Sequence, residues 1–434
     1  MIEFVSEIKK ALEALNKYNI EYVIARNYEF LIKGKIYEGK DVDVCISKRS
    51  IRRAKKVFRK LGYAEMAINP FSNHLGFGKF IISARKLIFF HIHVGGITGA
   101  NLMYLNSEHL IENRRKIDYF YVPSCEDELL VVLLHCILDK RAFRKDYRKV
   151  LTDLLSKDPD MEYVKHVLTR RIGGTYAKFV LSYLDMGEFD AIEAKAKIMH
   201  KYFMDNYPNR LFSLLRVYGF GAIWKGLWLM KNKPLISFIG MDGSGKTTTS
   251  NKVIEIIKKN YLRVEYVYGG RGRNNILPIQ AIGKGYRKAG GKGSLGKEGK
   301  GLKKFSLIHT CAAPVFAFDQ FLRYLFKILP SRKKNDFVIT DRYSTDILLM
   351  NKVPMWLKRI LYSVFPRPTM TIYLYNTPEI LAKRKGDHPI EDLQRQEKIF
   401  RKIGKLAKPI KIKSDGIEST VDKVLEEVFR VFGK

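Results

Sequence analysis

The stretch LISFIGMDGSGKTTTS, Leu235 to Ser250, decides how the second half of this chain is read. A short apolar run leads into GMDGSGKT, Gly240 to Thr247, which fits the spacing G-x-x-x-x-G-K-[ST], and TTTSNKVIEIIKKN follows with helical periodicity. Strand, glycine-rich turn and helix start in that order make an anion cradle. The glycines let consecutive backbone N–H groups turn inward, and the helix N-terminus adds partial positive charge. Gly240, Gly243, Ser244, Gly245, Lys246, Thr247 and Thr248 are therefore expected to hold the phosphates of a nucleotide, with Lys246 reaching the β- and γ-phosphates and Thr247 ligating Mg2+.

Outward from this loop, the runs LISFIG, RVEYVYG, DFVITD, MTIYLY and IKIKS alternate with helical segments. Strands apolar on both faces with helices between them imply a buried parallel sheet covered on both sides, so residues 233–434 are expected to form a doubly wound α/β domain. Within it, IGKGYRKAGGKGSLGKEGKGLKK, Ile282 to Lys304, is rich in glycine and lysine with one acid and is expected to be a mobile loop.

Three motifs give this segment a resemblance to the thymidylate kinase family of nucleoside monophosphate kinases. The phosphate loop carries an acid, Asp242, where these kinases place a carboxylate that touches the acceptor sugar. FVITDRYSTD ends a strand with Asp341-Arg342-Tyr343, similar to the family's D-R-[YFH] signature, in which the Asp positions Mg2+ or its water and the Arg grips the acceptor phosphate. TIYLYNTPEILAKRKGDHP resembles the strand, helix and lid of the family, and Arg384 and Lys385 are the candidates for the cation that closes over the transferring phosphoryl. The resemblance implies ATP and Mg2+ as cofactors, with Lys246, Asp341, Arg342 and Arg384 as the catalytic set and Thr247 and Asp341 at the metal. It also adds Asp242 to the nucleotide-binding residues.

Departures bear on the acceptor. The family's usual D-x-D or L-D-x-P after the fourth strand reads Tyr375-Asn376-Thr377-Pro378, and the helix that often reads Asp-Arg has Asp319-Gln320. YVYGGRGRNN, Tyr266 to Asn275, occupies the acceptor-side turn and offers Arg271 and Arg273 to a phosphate. RKGD with PRP upstream resembles a thymidylate-kinase-like subgroup linked to polysaccharide or cell-surface biosynthesis. The expected acceptor is a nucleoside monophosphate or related phosphorylated metabolite.

The first 105 residues alternate β-like runs (YVIA, DVDVCI, KLIFFHIHV) with basic helical stretches, an α/β pattern. YVIARNYEFLIKGKIYEGKDVDVCI resembles the polymerase-β-type nucleotidyltransferase fold, which implies that Asp41 and Asp43 bind Mg2+; period-2 spacing puts both carboxylates on one strand face. Two family elements differ: Arg26-Asn27 stands where a Gly-Ser turn is expected, and FFHIHVGG presents His91 and His93 where a third carboxylate belongs. His91 and His93 are open to two readings, as metal ligands or as one satisfied strand face. Residues 106–232 turn helical, Ser124 with Asp127 marking a capped start, and are expected to be a helical connector.

Composition sets the remaining bounds. A 46% hydrophobic content suffices for ordinary cores, and four scattered cysteines give neither a disulfide framework nor a cysteine zinc site, which fits a reducing cytoplasm. The N-terminal MIEFVSEIKKALEALNKYNI reads as an amphipathic helix rather than a signal peptide, and no transmembrane segment is expected. The net charge of +35 fits either a lysine-rich solvated surface or a polyanion partner such as nucleic acid. Beside the kinase reading stand a nucleic-acid end processor that combines kinase and nucleotidyltransferase, a polysaccharide-pathway kinase, and a basic scaffold switched by ATP; assembly into oligomers is compatible with all of them.

Overall fold

Period-2 alternation in the front strands feeds two cores at once. The computed structural model of the protein describes residues 2–26, 28–33, 41–66, 70–99, 102–230, 233–270, 275–277, 307–350, 353–385 and 390–432. The chain divides into two units, Met1–Trp228 and Leu229–Phe432.

In the first unit, β1 (Tyr22–Arg26), β2 (Val42–Ile46), β3 (Ala64–Met66), β4 (His74–Ile81) and β5 (Lys86–Val94) form a mixed sheet in the order β1-β2-β5-β4-β3. β2 and β5 run parallel, and the other pairs are antiparallel. Tyr22, Ile24, Val44, Ile46, Phe77, Phe90 and Ile92 face the helices Ile2–Lys17 and Ile51–Lys60, where Ile8, Leu12, Leu15 and Phe58 complete a core. The alternate residues Val23, Ala25 and Cys45 face the other way and share a core with Leu129 to Leu134, Leu168, Val180 and Met199 from the helices after residue 124. The helical stretch read as a connector is thus packed into the first unit as the second cover of its sheet. Its start is capped as expected, Ser124 Oγ accepting from the N–H of Asp127 at 3.1 Å ahead of the helix Cys125–Leu134. Two small ribbons, β6 (Gly96–Gly99) with β7 (Leu102–Asn106) and β8 (Arg115–Ile117) with β9 (Phe120–Val122), complete the unit's β-structure among the described residues.

The second unit holds the parallel sheet. Its strands β10 (Leu235–Gly240), β11 (Val264–Tyr268), β12 (Phe337–Asp341), β13 (Met370–Tyr375) and β14 (Ile410–Lys413) are arranged β11-β12-β10-β13-β14, and every pair is parallel. They coincide with the five runs picked out in the sequence. β10 and β12 are buried along their whole length, as strands covered on both faces must be. After β10 the chain leaves to one side for β11 and β12 and later returns to the other for β13, so the strand order reverses at β10. In such sheets ligands are placed at the carboxyl ends of the strands beside that reversal.

No described helix is long and apolar enough to cross a membrane.

Candidate active site

The loop leaves β10 through backbone that demands glycine. Gly240 has φ 154°, and a Cβ there would stand 2.3 Å from the carbonyl oxygen of Leu374 on the adjacent strand. Gly243 and Gly245 both have φ 82°, the left-handed region open to glycine without steric penalty, and Gly245 immediately precedes the helix Lys246–Lys259. Lys246 is buried and curls back over the loop, Nζ donating to the carbonyls of Gly240 at 3.0 Å and Met241 at 2.8 Å. Burial, with the Arg342 guanidinium adding to it, pushes the Lys246 ammonium down to about 8 against the pull of Asp242, Asp341 and Asp346.

Neighbouring strands bring the other residues to this loop. Asp341 pairs in register with Phe238 of β10 and Tyr268 of β11. Its Oδ2 accepts from Thr247 Oγ1 at 2.5 Å and from the Tyr266 hydroxyl at 3.4 Å, while Oδ1 is buried without a partner. An orphaned carboxylate oxygen beside a helix-start hydroxyl is a hard-oxygen donor set that suits Mg2+. Arg342 follows at φ 66° and donates to Asp242 Oδ1 at 2.6 Å, with Asp346 Oδ2 3.8 Å from its other nitrogen. Asp242 also reaches the helix Ile390–Ala407, its N–H meeting Gln396 Oε1 at 3.4 Å.

Five of the expected residues, Asp242, Lys246, Thr247, Asp341 and Arg342, are thus linked in one cluster. Arg384 is placed otherwise: its guanidinium donates to the Ser414 carbonyl at 2.7 Å and hydroxyl at 3.3 Å, in a turn that Asn376 also braces by donating to the same carbonyl at 2.9 Å. Ser244 and Thr248 lie in the loop and at the helix start. Arg271, Arg273 and the basic stretch from Ile282 to Lys304 lie outside the described residues.

Two further side chains, Gln320 and Arg323, tie together the segments after β11 and β12. Gln320 donates to the carbonyls of Gly269 at 3.0 Å and Tyr343 at 3.3 Å, so it ties the turn after β11 to the end of β12. Arg323, one helical turn on, pairs with Asp319 and donates to Gly270 O at 3.0 Å and Asn275 Oδ1 at 2.9 Å. The i, i+4 spacing of Asp319 and Arg323 was the visible signal for it.

The first unit has a cavity of about 570 Å³ whose lining includes Arg26, Asp41, Asp43, His74, His91 and His93. Asp43 and Cys45 share a strand face, and the parallel register sets Asp43 beside His91 and Cys45 beside His93. A one-residue bulge between Ile24 and Arg26 pairs Arg26 with Asp43 and turns the guanidinium to that same face, where it donates to Asp43 Oδ2 at 2.9 Å. Asp43 Oδ1 accepts from His91 Nδ1 at 2.9 Å and stands 3.5 Å from His93 Nε2. Burial pushes the Asp43 carboxyl up, but Arg26 and the two histidines outweigh it and hold it well below the usual range. Burial, with His93 and His91 alongside, pushes His74 down to about 3. Asp41 is exposed at the cavity's edge. Both oxygens of Asp43 are therefore engaged by protein groups, an arrangement different from the paired Mg2+ carboxylates that the D-x-D spacing suggested. His74, His135 and Asp139 enter this cavity unforeseen, the last two 3.1 Å apart on a π-helical turn, His135–Lys140. His74 lies directly across from His93 on the hairpin partner of β5.

Residues 292–427 match the family model for thymidylate kinase. That stretch is less than half of the chain; it contains Asp341, Arg342 and Arg384 and stops short of the phosphate loop, whose geometry is a separate indication. No curated protein matches the chain.

Proposed function

We propose that the second unit, kinase-like over the matched residues 292–427, transfers the γ-phosphoryl group of ATP to a nucleoside monophosphate or a related phosphorylated metabolite. One observation carries the reading: Thr247 at the helix start and Asp341 at the end of β12 meet at 2.5 Å across the strand-order reversal, with a buried Asp341 oxygen left over. These two residues would hold Mg2+, which supplies charge neutralisation between the β- and γ-phosphates when bound.

The loop's inward N–H groups and Lys246 bind the triphosphate. Lys246 already sits where it must compete with backbone carbonyls, so exchanging Gly240 O and Met241 O for phosphate oxygens gives a buried ammonium a full counter-charge. Arg342 is assigned to the acceptor phosphate and Asp242 to the acceptor sugar. Their mutual ion pair presets both side chains before the acceptor arrives, which lowers the ordering cost. Gln320 and Arg323 hold Gly269, Gly270 and Asn275, which would flank the acceptor. An uncharged Gln320 committed to two carbonyls gives this side one fewer cation than the Asp-Arg form of the helix. Arg384 is assigned to the transferring phosphoryl, which requires it to exchange Ser414 for phosphate oxygens as the segment closes.

The test is a transfer screen with γ-labelled ATP across nucleoside monophosphates, phosphorylated sugars and nucleic-acid ends, with Lys246→Ala as control. Transfer to a monophosphate that disappears in the variant supports the reading. ATP binding without transfer to any phosphorylated small molecule, or turnover unchanged in Lys246→Ala, overturns it.

A further inference from the structure

We propose that His74, His91 and His93 in the first unit form a binding site for a divalent transition metal of the zinc class, with Asp43 as the carboxylate that orients it.

The three imidazoles come from two adjacent strands. Their rings lie within 4.6 to 4.8 Å of one another, centroid to centroid, and one ring nitrogen from each falls within 4.8 Å of the other two. A four-coordinate ion with bonds of about 2.0–2.1 Å holds its ligand nitrogens about 3.4 Å apart, so ring rotations of about an ångström bring the set to bonding geometry. Gly76 pairs with His91 and follows His74 on the same strand face, so β4 itself sets no side chain opposite His91.

Each ring has one nitrogen committed in a way that commends the other to a metal. His91 Nδ1 donates to Asp43 Oδ1 at 2.9 Å, fixing the tautomer in which Nε2 carries the lone pair. His74 Nε2 is hydrogen-bonded to Thr98 Oγ1 at 2.7 Å, and its Nδ1 is buried without a partner. His93 is 4% exposed, its Nε2 stands 3.5 Å from Asp43, and its Nδ1 also lacks a partner. Two buried, unpartnered imidazole nitrogens on a cavity wall are costly unless something fills them. Three neutral nitrogens favour a borderline ion such as Zn2+, Co2+ or Ni2+ over Mg2+ or Ca2+, which prefer oxygen. The cavity tolerates the charge: Asp41, Asp43 and Asp139 outnumber Arg26 and Lys140 on its wall. The cavity also leaves room for a fourth ligand, a water or a small anion.

The experiment uses the full chain, free of any histidine tag and stripped with a chelator, titrated with Co2+ and Zn2+. One equivalent of Co2+ should give the intense visible bands of a four-coordinate ion, and one equivalent of Zn2+ should bleach them. His91→Ala and His74→Ala should each weaken Zn2+ binding by at least 100-fold, with unfolding in chelator showing that the variants remain folded. Asp43→Asn should weaken it about 10- to 100-fold while keeping the Co2+ spectrum, the signature of an orienting group. Should a variant fail to fold, histidine modification by diethyl pyrocarbonate with and without Zn2+ on the wild-type chain serves instead, with the part-buried His74 and His91 expected to be protected. Absence of the Co2+ bands, binding indifferent to both histidine variants, or a preference for Mg2+ that depends on Asp41 overturns the proposal.

Discussion

Arg342 offers a way to separate strain from function with two substitutions. It sits at φ 66°, held there by its own N–H donating to Phe238 O at 3.0 Å, and a non-glycine residue in that region costs about 1–2 kcal/mol. Arg342→Gly and Arg342→Ala both remove the guanidinium and the pair with Asp242, whose side chains are 23% and 25% exposed. At that exposure the pair contributes about 0.5–1 kcal/mol. Glycine relieves the strain but gives up about 0.4–1 kcal/mol in unfolded-state entropy, so the Gly variant should be more stable than the Ala variant by about 0.5–1 kcal/mol. Both variants should lose a charge-assisted hydrogen bond of about 1.5–3 kcal/mol to the acceptor phosphate, raising the acceptor KM by about 10- to 150-fold while ATP affinity stays near the wild-type value. Urea unfolding and steady-state kinetics with ADP release as readout measure both effects. An Ala variant as stable as the Gly variant refutes the strain argument. An unchanged acceptor KM, or ATP affinity reduced by the same factor, refutes the acceptor assignment.

Nucleotide affinity should be level at neutral pH and fall as pH rises through about 8, by up to tenfold per unit. Phosphate favours charged Lys246, whose own value in the free protein is about 8, so binding above that pH must take up a proton; calorimetry in buffers of different ionisation enthalpy would detect the uptake, and Lys246→Ala should abolish it. Gly240→Ala places a Cβ 2.3 Å from Leu374 O and should cost about 1–3 kcal/mol in thermal unfolding; a change within about 0.5 kcal/mol would contradict the close approach of β10 and β13. Arg384→Ala should lower kcat by about 10²–10³ with substrate binding retained if the residue meets the transferring phosphoryl, whereas a loss of stability alone would restrict it to anchoring the Ser414 turn. Deleting residues 282–304 should lower the salt dependence of binding to duplex DNA, each phosphate contact removed reducing the slope of log K against log salt by about 0.9; an unchanged slope excludes a polyanion role for that stretch.

The nucleotide-binding half was legible because its chemistry is contiguous. The strand, the glycine turn and the helix start lie within Leu235 to Ser250, and Gly243 and Gly245 answer local backbone demands, whereas Gly240 also answers the approach of Leu374 on β13. The five apolar runs could be read as strands because burial on both faces leaves an unbroken apolar pattern. Asp341 and Arg342 were visible by resemblance, yet their meeting with the loop depends on β12 lying beside β10, which brings Asp341 to Thr247 across 94 residues of chain. Arg384 shows the limit from the other side: resemblance alone assigned it to a lid, and its attachment to Ser414 could not be read from the sequence.

In the front unit the sequence by itself determined which residues share a face. Alternation puts Asp43 and Cys45 on one side of β2, and His91 and His93 on one side of β5, leaving Phe90 and Ile92 to the opposite core. It did not determine what meets them there. His74 arrives through the register of β4 on β5, Arg26 through a single inserted residue that turns it to the face of Asp43, and His135 from a helix more than 40 residues beyond β5. Strand period is a local property, fixed by the pleat of one chain segment. Register, bulges and the helix that covers a sheet are set by packing between segments distant in the chain, and there the tertiary structure decided that a D-x-D strand would face an arginine and three histidines.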